Sequence, residues 1–458
     1  MKRRLLLISL IALSLTTRAQ WLSQAVPFTT TGYFYDLEAC SPFTVWGNPF
    51  YISGTTAASS RDYFRTLDGG MNWTNFGAMN GTPANYRVSN IWPIDDTTCY
   101  AAMYSATSTG GNVYKTTDGG LNWASVNAYN ASSQFPNIVC FFDPAHGMTM
   151  GDPQGGYFEI YTTSDSGATW TRTPSADIPL PSAADEYGTI NLFTSMQGHI
   201  WFATTYGFVY HSSDMGLHWT KSASGFPANI STAGNRNDID DIAFTDSLNG
   251  IIMNIPYDTT IAGKGPFIKM TTDGGVTWNT VNYNGPLFVA DLDVVPGTPA
   301  FITSGSNNVY GFGTSISVDN GGNWALLDTN ASHTAIDFYD NTHGYTGEVV
   351  QPLTSGLWQY DASLGPLGMA PVVNNRQSID LYPNPTNGMV YFNFKAGAQT
   401  PVKVSVYNST GSMVLEKDYG KVSGSFNESL NLQSFAKGIY IVHLVKGGQL
   451  FQQKVIVQ

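Results

Sequence analysis

Charge is scarce in this chain. Only 12% of its 458 residues are charged, and 33 acids against 21 bases leave a formal net charge of −12. The shortage is uneven. Residues 20–375 hold nine Lys or Arg against 29 Asp or Glu, whereas residues 376–458 hold eight bases and four acids. A body with so few cations is poorly equipped for the phosphate neutralisation that nucleic acids and anionic membranes demand, so neither is expected as a partner. No apolar run approaches the roughly 20 residues of a membrane-spanning helix, so no transmembrane segment is expected in the mature protein. Three cysteines (Cys40, Cys99, Cys140) are too few for a disulfide framework and read as buried thiols. CxxC, HExxH and clustered His/Cys spacings are absent, and no Gly-rich loop precedes a helical pattern. The expectation is therefore no metal and no cofactor.

The N-terminus is basic. Lys2, Arg3 and Arg4 precede an apolar stretch from Leu5 to Leu15, followed by Arg18 and Ala19. This is the layout of a signal peptide over 1–19, with the mature, exported protein starting near Gln20.

Glycine (47 residues) and aromatics (13%) are plentiful, and they recur in register. The pattern Ser/Thr-x-Asp-x-Gly-x-x-Trp occurs six times: Asp68 with Trp73, Asp118 with Trp123, Asp165 with Trp170, Asp214 with Trp219, Asp273 with Trp278, and Asp319 with Trp324. Successive aspartates lie 50, 47, 49, 59 and 46 residues apart. A short acid followed two residues later by glycine makes a tight turn, and the tryptophan plugs the space between neighbouring sheets. Alternating strands precede each box, so each box reads as a hairpin turn between antiparallel strands. A weaker Asp-x-x-x-Gly turn signal appears at Asp143, Asp246 and Asp340, and related signals run from Asp36 to Cys40 and from Asp95 to Cys99. Each unit then holds four strands, which is the blade of a β-propeller. The first-turn signal at Asp340 opens one more unit beyond the six boxes, with no box after its third strand, and Trp21 to Phe28 is a strand with no sheet of its own. Pairing it with Gly356–Tyr360 would close the ring and hide an edge. The expectation is an all-β chain with a seven-bladed propeller over 20–364.

The boxes resemble the BNR or Asp-box repeats of sialidases, xyloglucan-cleaving enzymes, sortilin luminal domains and the photosystem II assembly factor family, the last most closely in motif style. Gly151-Asp152-Pro153 to Phe158-Glu159-Ile160, with Ile178-Pro179 and Glu186 downstream, is similar to secreted bacterial members of this group. The resemblance implies that the boxes are structural and lie at the rim opposite the functional face. That face would then draw on Arg87, Asp152, Asp185, Glu186, Tyr187, Arg236, Asp238 and Asp240, with Tyr129, Tyr257 and Tyr283 among its aromatics. Sialidases of this fold hold their substrate with three arginines, one in a Phe/Tyr-Arg-Ile-Pro motif, which is absent here. The body's arginines are Arg61, Arg65, Arg87, Arg172 and Arg236.

From residue 376 onward there is neither Trp nor Cys. Residues 365–377, rich in Pro and Asn, read as a linker, and 378–458 as a small antiparallel β-sandwich. Its motifs are Pro383-Asn384-Pro385 with Gly388, Tyr407 with Gly411, Gly438 with Tyr440, and a final strand containing Lys454. In this order they resemble the type A sorting domain of the Bacteroidetes type IX secretion system. That resemblance implies engagement of the type IX translocon, passage across the outer membrane, and cleavage by a surface sortase, leaving the body extracellular or anchored at the cell surface.

Three functions fit the body: a binding or scaffolding propeller for a glycan or protein ligand, a non-sialidase glycoside hydrolase using Asp152 and Glu186, and a cation site at Asp238, Asp240 and Asp241. Two carboxylates flanking a sugar bond suffice for hydrolysis. The aspartate cluster lacks calcium-loop spacing, and Asp240 and Asp241 would face opposite sides of a strand. Binding is the preferred expectation, and catalysis the alternative.

Overall fold

The computed structural model describes residues 20–361 and 381–458, apart from 55, 109, 130–134, 227–228, 232–233, 237–238, 257–264, 330, 350–355, 409–412 and 447–448. The expected signal peptide (1–19) and linker (365–377), with Asp238, Tyr257 and Gly411, lie outside the described residues. The chain divides into two compact units, Met1–Met369 and Ala370–Gln458. Among the described residues the only helical segment is a single 3-10 turn, Ser175–Asp177. No helix is long and apolar enough to cross a membrane.

Among the described residues the first unit contains seven antiparallel sheets with a four-strand path, and a separate two-stranded hairpin. They begin at Gly32–Ala39, Tyr86–Pro93, Pro136–Phe141, Gly188–Met196, Asp241–Phe244, Asp291–Val294 and Ile336–Asp340. The first strand of each sheet touches the first strand of the next, and the seventh touches the first, so these strands ring a central channel. The seventh sheet has only three strands in sequence, ending at Gly356–Tyr360. Trp21–Ala25 supplies its fourth, with Trp21 opposite Tyr360 and Ala25 opposite Gly356. Trp21 is 2% exposed, and its indole donates to Thr314 Oγ1 of the sixth sheet at 2.9 Å. Phe28, Phe34 and Trp73 share a core with Tyr345 and Leu357, sealing the first sheet to the last.

All six boxes fold identically. In the first, Thr66 Oγ1 donates to Asp68 Oδ1 at 2.8 Å and accepts the Gly70 amide at 3.0 Å, while Asp68 Oδ1 also accepts the Asn72 amide at 2.8 Å. Asp68 Oδ2 accepts from the Asn72 side chain, a position held by Asn122, Thr169, His218, Thr277 and Asn323 in the other boxes. Both carboxylate oxygens are thus used within the turn. The glycine is required where the preceding sheet approaches: Gly120 has φ +93°, and a Cβ there would lie 2.3 Å from the Tyr63 hydroxyl. Gly69, Gly119 and Gly274 of the boxes donate to Phe43, Thr97 and Leu248 in first-turn loops, so boxes and first turns share one rim. Second-to-third strand loops and inter-sheet connections form the opposite rim.

The first-turn reading needs one correction. Asp95, Asp143, Asp246 and Asp340 accept the turn amides as expected. Asp36 does not: it sits within its strand at the channel, and Ser41 Oγ accepts the Phe43 and Thr44 amides in its place.

The second unit is one four-stranded antiparallel sheet built on the long strands Met389–Tyr407 and Met413–Asn431. Register irregularities between Ala396 and Thr400 and between Val402 and Lys403 allow the long hairpin to bend. Val390 and Phe392 from one part of it and Val402, Val404 and Val406 from the other then share a single apolar core. The Pro-Asn-Pro segment docks on the last strand, with Asn384 Nδ2 donating to the Lys454 carbonyl at 2.6 Å and Asn384 Oδ1 accepting the Ile456 amide at 3.0 Å.

Candidate functional site

Around the channel the first strands are latched to one another by side chains. Asp36 accepts the Ile91 amide of the second sheet at 2.7 Å, and Asn90 accepts the Val139 amide of the third at 2.8 Å. Asp241 accepts Leu292 N at 2.7 Å, Asp291 accepts Ile336 N at 2.7 Å, and Asp337 accepts Ala39 N at 2.5 Å, returning to the first sheet. The described latches run from the first sheet to the third and from the fifth back to the first, and the fourth sheet stands outside this series. Its first strand is irregular between Gly188 and Phe193, Asn191 has φ +54°, and both features push the strand into the channel. There Ile190 O accepts from the Tyr35 hydroxyl at 3.2 Å, and Asn191 Nδ2 donates to Asp36 Oδ1 at 3.3 Å.

Two cavities of about 240 and 450 Å³ share Tyr35, Asn191, Asp241 and Asp291 in their walls. Glu38, Asp293 and Asp337 line the smaller one. Burial, reinforced by neighbouring carboxylates, pushes Asp36 up to about 7 and Glu38, Asp241 and Asp293 well above the usual carboxylate range. Burial raises Asp337 to about 7 and Asp291 to about 6. Among the described residues no three His, Cys, Asp or Glu side chains converge as a metal cage. Asp240 and Asp241 diverge, since Asp240 Oδ2 accepts the Ile255 amide at 2.6 Å while Asp241 faces the next sheet.

The remaining candidates separate by environment. Glu186 is fully buried; it accepts the Ser182 amide at 2.5 Å and the Thr204 hydroxyl at 3.0 Å, and pairs with Lys221 Nζ at 3.1 Å. No surface remains for a substrate, so Glu186 reads as a structural anchor. Asp152 keeps part of its surface, accepts Asn137 Nδ2 at 2.8 Å and the Gly188 amide, and is raised by burial to about 6. Three residues before Gly188, the exposed Asp185 accepts a short hydrogen bond from Tyr206, and Tyr187 is 40% exposed. Tyr187 and Thr205 exchange hydrogen bonds across the same loop. Asp152, Asp185, Tyr187 and Tyr206 therefore gather where the third and fourth sheets meet, on the rim opposite the boxes. Tyr206, two residues past the second strand of the fourth sheet, carried no sequence signal beyond being aromatic.

Arg87 folds back onto the carbonyls of Ala84 and Tyr86. Arg236 lies in the short hairpin Asn229–Ser231 with Gly234–Arg236. Tyr129 is buried, with its hydroxyl 3.1 Å from Thr149 Oγ1, and Tyr283 donates to the Pro266 carbonyl at 3.0 Å. Arg172 donates to Gln154 O at 2.7 Å with its guanidinium over the Tyr157 ring.

Residues 380–458 match the Secretion system C-terminal sorting domain, which assigns the chain to type IX export, to the cell surface or the extracellular space. Among solved structures, YCF48 from Cyanidioschyzon merolae is 16% identical over 75% of this chain and 100% of that one, with a TM-score of 0.51, and shares the propeller fold. YCF48 bound to D1 peptide is 16% identical over 75% of this chain and 98% of its own, with a TM-score of 0.47. The GH74 xyloglucanase from Xanthomonas campestris is 14% identical over 90% of this chain and 65% of its own, with a TM-score of 0.31. No curated protein sequence matches the chain.

Proposed function

We propose that the propeller is an exported binding or scaffolding module for a glycan or protein ligand, and that its binding surface lies on the rim opposite the boxes, where the third and fourth sheets meet. The observation carrying this reading is the local break in the repeat. The connection 173–187 ends in an exposed Tyr187, and beside it lie the Tyr206–Asp185 pair and a partly open Asp152. Exposed tyrosines offer rigid, amphipathic contact area, and carboxylates and hydroxyls orient a polar ligand. In this reading residues 1–19 are removed on export, 365–377 join the units, and the translocon and a surface sortase act on 378–458. The test is a glycan array and a surface-protein pull-down with the secreted protein. Ligands retained by the unaltered protein and lost by Tyr187→Ala and Asp185→Ala support the assignment, while retention by both variants overturns it.

Glycoside hydrolysis is the second reading, favoured by one observation: a carboxyl raised to about 6 can hold a proton near neutrality, as a general acid must. With Glu186 enclosed, the second carboxylate would be Asp185. Turnover of chromogenic glycosides that disappears in Asp152→Asn would establish this reading over simple binding.

A further inference from the structure

We infer that the box rim of the first and second sheets is a docking face for a basic polypeptide segment that carries apolar side chains between its lysines or arginines. This face lies opposite the rim proposed above for the ligand. Its apolar part is Phe43, Leu67, Met71 and Leu121, which are 50–70% exposed. Hydrogen bonds along the rim make them neighbours. Phe43 O accepts the Gly69 amide at 2.8 Å, which joins the first turn and the box of the first sheet. The Thr44 hydroxyl donates to Asp96 Oδ1 in the first turn of the second sheet, and Thr97 O accepts the Gly119 amide at 2.9 Å, two residues before Leu121. Together the four side chains expose on the order of 400 Å², a size at which an apolar patch on a monomer is commonly functional.

The turns do not need these residues. The third and sixth boxes close with the same hydrogen bonds although Ala168 and Gly322 stand where the first two have Met71 and Leu121, and the second box has Thr117 in place of Leu67. An apolar side chain left in water gains nothing from folding, so four side by side point to burial against another molecule. Charge names that molecule. Asp68 and Asp118 belong to the two boxes and Asp95 to the turn beside them, and the donors to all three are neutral amides and hydroxyls, which hold the carboxylates in place without cancelling their charge. Arg65, the cation beside them, is engaged, with Nη1 donating to Asp96 O at 2.6 Å and the guanidinium 4.9 Å from the Trp46 ring. The fourth and fifth sheets repeat the exposed position with Leu217 and Val276, but there His218 Nδ1 lies 2.6 Å from Asp214 Oδ2, an imidazole able to carry the compensating proton. A second copy of the face would set carboxylates against carboxylates, and an anionic bilayer would be repelled. A basic segment with apolar side chains answers both features, burying the apolar groups while its cations meet the acids.

The test titrates full-length protein into a fluorescein-labelled amphipathic Lys/Leu helix and follows anisotropy, with a Glu/Leu helix and a Lys/Ser peptide of equal length as comparisons. One saturable site is expected for the Lys/Leu helix, weakening as salt is raised. Affinity should fall at least about tenfold in Leu67→Ser/Met71→Ser/Leu121→Ser, and by as much for the two peptides that lack either the positive charge or the apolar face. The triple variant should keep the Tm of the unaltered protein, since the third and sixth boxes fold with small residues, so lost binding is not lost fold. Leu217→Ser/Val276→Ser and Tyr187→Ala, the latter on the opposite rim, should bind the Lys/Leu helix as the unaltered protein does. No saturable site, equal affinity for the Glu/Leu helix, retention by the triple variant, or loss in Leu217→Ser/Val276→Ser would each overturn the proposal. So would a dimer in sedimentation, or flotation with phosphatidylglycerol vesicles, that the triple variant abolishes, because the face would then belong to a second copy or to a membrane.

Discussion

Replacing Glu186 with glutamine separates a structural from a catalytic role for this residue. Glu186 has no exposed surface, and the side chain of its partner Lys221 is only 12% exposed. Lys221 also donates to Leu180 O and Ser182 Oγ and lies 3.9 Å from the Phe208 ring, so it keeps partners when the carboxylate is removed. Breaking a buried pair costs about 3–5 kcal/mol, and these remaining partners put Glu186→Gln at the low end, about 3 kcal/mol. With an unfolding entropy of about 2.1 cal/mol/K per residue over a unit of roughly 340 residues, that corresponds to a fall in Tm of about 4 °C. Calorimetric unfolding at pH 7 in moderate salt measures it. The double variant Glu186→Gln/Lys221→Met should lose clearly less than the sum of its parts, because the second substitution removes the charge that the first strands. A Tm within one degree of the unaltered protein, together with lost ligand binding or turnover, would refute the structural assignment and return Glu186 to the functional surface.

The channel carboxylates and the boxes predict opposite pH responses. Asp36 and Asp337 at about 7 and Asp291 at about 6 bind protons more tightly folded than unfolded, so their contribution is full below about pH 4 and lost as pH rises toward 7. The box residues Asp165 and Asp273, lowered to about 2 by the hydrogen bonds they accept, contribute above about pH 4 and lose that contribution as pH falls toward 2. Thermal stability should therefore peak in mild acid, and Asp337→Asn should raise Tm at pH 8 but not at pH 4; a monotonic rise in Tm to pH 8 would contradict this. Trp21→Ala removes the buried ring that ties the closing strand to the sixth sheet, costing about 3–5 kcal/mol in urea unfolding and exposing the N-terminal strand to protease, and an unchanged midpoint would refute its closing role. Deleting 381–458 should keep the body out of the medium and in the periplasm, measured by immunoblot of both fractions; continued secretion would break the assignment of export to this unit.

What was legible in the sequence follows from how each feature is encoded. A box is local: Thr66, Asp68, Gly70 and Trp73 lie within eight residues, so repetition exposes it and with it the third and fourth strands of six sheets. Closure by Trp21–Ala25 was legible by elimination, as a strand with no sheet met a sheet one strand short. The channel latches are non-local, since Asp36 acts on Ile91 and Asp291 on Ile336, yet they leave a trace. An Asp or Asn followed by Leu or Ile occurs at Asp36, Asn90, Asn137, Asn191, Asp241 and Asp291, one in each of the first six first strands. The acids of the pattern look like spare catalytic carboxylates until the register shows that neighbouring amides occupy them. Glu186 misled for the same reason, because burial is invisible in a loop whose partner Lys221 lies 35 residues away. The fourth sheet keeps the box and the Asn191-Leu192 pair but breaks the inter-sheet latch, and the loop it releases carries Asp185 and Tyr187. A repeat constrains every position that its neighbours use, so functional chemistry is free to accumulate where one copy stops serving the ring. The proposed ligand surface lies at such a place, between the third and fourth sheets, and grafting a regular inter-sheet latch at Asn191 should raise Tm in calorimetry while abolishing ligand retention.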